Sequence, residues 1–159
     1  MASASLPVLS LVLSASACAQ QGSSKSIGLL AGAGVSRAAY LEAGLSKNWM
    51  AYGGPHIVGA AVYASVELHT GQRTLLAPKV GGWVAVLPLA IGASVARYSN
   101  SNESSWVFKP EAGLGFDRLK ITYSWNIGIT NKHFDGIRGH SIGLAYCFRL
   151  KQLKEQHGN

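Results

Sequence analysis

Between Trp106 and Leu150, apolar and polar side chains alternate with a period of two through three successive runs. Nothing else in the sequence restricts the fold as strongly, because that period places neighbouring side chains on opposite faces of an extended strand. In the first run Trp106, Phe108, Pro110, Ala112, Leu114 and Phe116 share one face, opposite Lys109, Glu111, Gly113, Gly115 and Asp117. In the second, Leu119, Ile121, Tyr123, Trp125, Ile127 and Ile129 oppose Lys120, Thr122, Ser124, Asn126, Gly128 and Thr130. In the third, Ile142, Leu144, Tyr146, Phe148 and Leu150 oppose Ser141, Gly143, Ala145, Cys147 and Arg149.

The same pattern continues upstream with smaller residues. Val58, Ala60, Val62, Ala64, Val66 and Leu68 face away from Gly59, Ala61, Tyr63, Ser65, Glu67 and His69. Leu76, Val80, Val84 and Val86 oppose Lys79, Gly81, Trp83 and Ala85, and Leu89, Ile91, Ala93 and Val95 oppose Gly92, Ser94 and Tyr98. With two weaker runs, about 27–36 and 39–49, the expectation is an all-β, antiparallel up-and-down barrel of about eight strands. Outside the N-terminus no apolar stretch approaches the roughly 18 residues of a membrane-spanning helix.

Alternation leaves open which face points inward. A secreted, soluble lipocalin-like barrel with an apolar interior would bind an apolar ligand, whereas a transmembrane barrel has the opposite polarity. Glycine placement separates the two. Gly44, Gly59, Gly81, Gly92, Gly113, Gly115, Gly128 and Gly143 fall on the polar face, where a solvated exterior gains nothing from residues that weaken strands. In a narrow lumen they leave room for long Lys, Glu, Tyr and Trp side chains. The polar face is therefore expected inside, with Trp106, Phe108, Phe116, Tyr123 and Trp125 forming an aromatic girdle on a lipid-facing exterior. A content of 13% charged residues against 48% hydrophobic agrees with that polarity.

Connections follow the same reading. Turns near Leu87–Pro88 and Asp117–Arg118 are short and fall on one side, while His69–Thr74, Tyr98–Ser105 and Asn131–Gly139 are longer and fall on the other. Asn48–Pro55 misfits, being long where a short turn is expected. Glu42-Ala43-Gly44-Leu45 recurs as Glu111-Ala112-Gly113-Leu114, with related tetrads at Lys79 and Ser141. These tetrads set charges of both signs at one level of the lumen. Pro78 and Pro110 each remove a ladder donor just before that level, so a bulge or local opening is expected there.

At the N-terminus an apolar run from Leu6 to Leu13 precedes Ala17-Cys18-Ala19, an export-signal pattern, although no Lys or Arg precedes the run. The expected organisation is a cleaved signal peptide at 1–19, a linker at 20–26, the barrel at 27–150 and a basic tail at 151–159. Cys18 is alternatively a lipidated cysteine, with Ala15 where that signal usually has leucine. Once Cys18 is removed, Cys147 has no disulfide partner and reads as a small buried hydrophobe. The formal charge of +7 comes from basic residues that all follow Gln20. With no Lys/Arg run or RNA-binding aromatic motif, no nucleic-acid partner is expected, and phosphate-rich lipid headgroups are the anionic partner instead.

Ser141, Gly143, Tyr146 and Phe148 form a polar residue, a glycine and spaced aromatics, similar to the C-terminal insertion signal of outer-membrane barrels. With the exported N-terminus and the eight runs, the chain from about Ile27 to Leu150 resembles the small OmpA-like and OmpX-like outer-membrane barrels. That resemblance implies the bacterial outer membrane, assembly by the barrel-insertion machinery, a monomer among outer-membrane lipids and lipopolysaccharide, and a lumen plugged by charged side chains. The chain departs from the pattern in its tail, which follows the final aromatic strand and is too short for a peptidoglycan-binding domain.

The residues expected to plug the lumen are Glu42, Glu67, Lys79, Lys109, Glu111, Asp117, Lys120 and Arg149, which either neutralise one another or form a gated path. No catalytic, cofactor or metal site is expected. Tyr98-Ser99-Asn100 offers a lipid A-modifying enzyme no adjacent histidine and reads as polar loop; His133, Asp135 and His140 lack tight metal spacing. Arg73, Arg97, Lys132 and Arg138 are placed to touch lipid phosphates. The expected role is structural, adhesive or surface-interacting.

Overall fold

A computed structural model describes residues 22–53, 56–71, 74–86, 88–99, 103–116, 118–130 and 139–157. Eight strands follow in chain order: β1 Gly22–Val35, β2 Ala39–Gly53, β3 His56–Thr70, β4 Leu75–Val86, β5 Leu89–Ser99, β6 Ser104–Gly115, β7 Leu119–Gly128 and β8 Gly139–His157. Each pairs antiparallel with its sequence neighbour, and β8 returns to β1, closing the ring. The up-and-down barrel expected from the alternation is the fold.

The pairing fixes the barrel's shape. Stepping from Lys25 through Trp49, Ala60, Val84, Ile91, Ala112, Tyr123 and Ile142 returns to β1 at Val35, ten residues further along. Eight strands with that stagger tilt by about 40° from the axis. The ten-residue β7 then spans about 25 Å along the axis, while the longer β1, β2, β3 and β8 project beyond it at the end where β1 begins and β8 finishes, the terminal end.

Two expectations are corrected, and a third is met in one of its two forms. β2 runs on to Gly53 and β3 begins at His56, so the connection read as long is short: the polar Asn48 and Trp49 belong to the ladder. The presumed linker and tail pair with each other, Ser23 with Gln156 and Ser26 with Gln152, so β1 begins before Ile27 and β8 continues past Leu150. The prolines give the local opening that was one of the two expected forms, without a bulge. Pairing lapses between Leu76 and Lys79 on the β5 side and between Phe108 and Glu111 on the β7 side, then resumes in the same register. A proline removes the donor aimed at one neighbour only, and Pro78 and Pro110 stay paired with Val66 and Ala93 on the other side. The register shifts lie instead between β1 and β8, at Lys25/Ser26 and Ile27/Gly28.

Candidate functional site

Inward side chains build the lumen, and its charged centre is Glu67 on β3, with none of its surface exposed. Lys79 Nζ from β4 donates to Glu67 Oε1 at 2.8 Å, and Lys109 Nζ from β6 reaches the same oxygen across the lumen at 2.7 Å. Tyr98 donates to Glu67 Oε2 at 2.7 Å, and His69 Nε2 lies 3.0 Å from it. Four groups thus converge on one carboxylate, which is how a buried charge is held. The rings of Tyr40 and His69 stack above it, with Tyr98 edge-on to His69.

A second centre lies beside the first. Lys79 also holds Glu42, at 2.7 Å, and Ser65 donates to that same Glu42 oxygen at 2.5 Å. Glu111 on β6 accepts from Lys120 at 2.6 Å, Ser94 at 2.8 Å and, across the lumen, Tyr63 at 3.0 Å. The recurring charges Glu42, Lys79 and Glu111 therefore do share one level, but the direct ion partner of Glu111 is Lys120. Two ties, Lys109–Glu67 and Tyr63–Glu111, bridge β6 and β3 across the lumen.

Towards the loop end Leu75, Ala77, Ala96, Tyr98 and Val107 form a buried apolar cluster that no charge-based reading anticipated. Tyr98 belongs to strand β5 and this cluster, which corrects its assignment to a polar loop. Asn126 Oδ1 and Ser141 Oγ are buried without a partner among the described residues. The lumen holds small cavities, one of about 30 Å³ beside the ties, lined by Tyr40, Lys79 and Glu111, and another of about 20 Å³ towards the terminal end near Ser46 and Cys147. These volumes suit single waters. Cys147 is half-buried beside Ser46 at 3.1 Å and Asn48 at 3.3 Å, so it sits in polar company and not in an apolar core. Arg149 shares that end, paired in register with Gly28. Asp117 lies outside the described residues.

Outward side chains form the second surface. Trp106, Phe108 and Trp125 lie towards the loop end, Phe116 and Phe148 towards the terminal end. Tyr123, expected in the girdle, lies at the middle of β7, with its hydroxyl bonded to His140 Nδ1, and Trp125 stacks on the same imidazole. Trp49, which the sequence reading missed, completes the terminal-end set, with Lys47 Nζ 5.3 Å from its ring centroid. Gly143 has a packing role: a Cβ there would collide with the Tyr40 hydroxyl. Tyr146 packs edge-on against Phe148.

Among outward strand residues with described side chains, charge is confined to the ends: Lys25, Lys47 and Lys151 on β1, β2 and β8, and Arg97 near the loop end of β5. His133, Asp135, Arg73, Lys132 and Arg138 lie outside the described residues. No family model, curated protein or solved structure matches the chain.

Proposed function

We propose that the chain is an integral outer-membrane barrel of a bacterial cell, non-enzymatic and non-conducting, with a structural or adhesive role at the surface, of the OmpA-like or OmpX-like kind. The observation that carries this reading is the polarity of the wall. Leu45, Val80, Ile91, Leu114, Ile121 and Leu144 are all exposed outward, while Glu67, Lys79, Lys109 and Glu111 are buried inside. A soluble barrel would have to hold that apolar wall in water, and patches of a few hundred Å² already mark interaction surfaces. Its height, about 25 Å along the shortest strand, matches the apolar band of transmembrane barrels. The cross-lumen ties support a plugged bore, and surface interaction would then rest with the loops.

Fractionation tests it. The chain is expected in the detergent-extracted outer-membrane fraction, migrating faster on gels unheated than boiled, and planar bilayers containing it are expected to show no steady conductance. Recovery as a soluble periplasmic monomer overturns the membrane reading; stable conductance overturns the plugged lumen.

A further inference from the structure

Resting on that membrane reading, we infer that the outer wall at the terminal end carries a binding site for an anionic lipid of the periplasmic leaflet. Two adjoining features make the site. The first is a basic cluster without an acid on the same face among the described side chains. Lys47 of β2 and Lys151 of β8 flank Ile27 of β1, one strand to either side, and Lys25 projects from the same face two residues along, paired with Trp49. Adjacent strands lie about 4.8 Å apart, so the backbones of the three lysines sit within about 10 Å of one another. The second is an apolar groove of about 410 Å³, lined by Trp49, Ala60, Val62, Gly82, Val84 and Ile91.

Trp49 belongs to both. It lines the groove and carries the Lys47 ammonium over its ring. A cation cluster joined through an indole to a shallow, open apolar depression is complementary to an amphiphile with an anionic head and a hydrocarbon tail. The groove exists because Ala60 and Gly82 leave the wall thin between Val62, Val84 and Ile91, and a shallow slot among aliphatic side chains accepts an acyl chain lengthwise. A soluble polyanion would satisfy the lysines but leave the groove unused.

The test folds the full chain into vesicles of zwitterionic lipid that contain a minor share of phosphatidylglycerol brominated on its acyl chains, or the same share of brominated phosphatidylcholine. Quenching of Trp49 is read as the difference between the wild-type chain and a Trp49→Phe variant. Each lysine near an anionic headgroup contributes about fivefold in affinity, so three give a preference for the anionic lipid on the order of 100-fold at low salt. That preference is expected to collapse in the Lys25→Gln/Lys47→Gln/Lys151→Gln variant and in molar salt. Filling the groove by Ala60→Phe is expected to remove the quenching with the gel mobility of the folded barrel intact. Equal quenching by both lipids, or a preference that survives the triple substitution, overturns the site. A chain that fails to float with the vesicles overturns the membrane reading and the site together, whereas flotation with equal quenching overturns the site alone.

Discussion

Glu67 shows how unevenly the lumen charges depend on one another. Lys79 has a second carboxylate in Glu42, but once Glu67 is neutralised Lys109 keeps the Tyr98 hydroxyl, at 3.4 Å, and the Tyr40 ring, whose centroid is 5.6 Å from its Nζ, with no second carboxylate among the described side chains. Glu67→Gln is therefore expected to destabilise the folded barrel by about 3–5 kcal/mol in urea unfolding from lipid vesicles, because it strands a buried ammonium. Lys120→Met should lose less, since Glu111 keeps Tyr63 and Ser94 and the Lys120 side chain is 13% exposed. If Lys109 is the stranded group, Glu67→Gln/Lys109→Met recovers part of the loss; strictly additive losses would refute that account. The sequence reading named Glu67, Lys79 and Lys109 as lumen residues from strand parity alone. Their pairing was beyond it, because Lys109 and Glu67 meet across the bore from strands that share no ladder, and only the stagger of the closed ring sets their relative height.

Strands show the same division between what alternation reveals and what closure decides. β6 and β7 were legible because bulky aromatics face small or charged partners. β1 was faint because Gly28, Gly32 and Gly34 alternate with Ala31 and Ala33, which offers almost no contrast between faces. The end of β8 read as a tail because Lys151, Gln152 and Lys154 are polar on both faces; β1 is what makes it a strand. The prolines give a prediction at this scale. Pro78 stands where the unshifted register places it opposite Arg97, so Pro78→Ala supplies an amide donor to a gap already in register. Its N–H is expected to be protected in hydrogen exchange, with neighbouring cross-strand contacts unchanged and stability altered by no more than about 1 kcal/mol. A change in the β4–β5 register would show instead that the proline holds the strands in alignment.

At the scale of the whole molecule, the tilt and stagger set a height for every outward residue, and this separates a membrane wall from a wetted one. Each step along the pairing from β1 towards β8 climbs about 3 Å towards the loop end, and each residue along a strand about 2.5 Å. On that scale Ala64 lies near the middle of the apolar band and Ile27 at its terminal edge, beside Lys47 and Lys151. Both are exposed and neither supports the lumen. In a bilayer an arginine at the midplane is destabilising by about 2–4 kcal/mol, falling to about 0–1 at the interface. Ala64→Arg is thus expected to cost several times as much as Ile27→Arg when the barrel unfolds from vesicles. In a soluble barrel both would be exposed surface substitutions within about 0.5 kcal/mol of neutral. Equal and small effects would place the apolar wall in water, whereas a graded loss that follows height would place it in lipid.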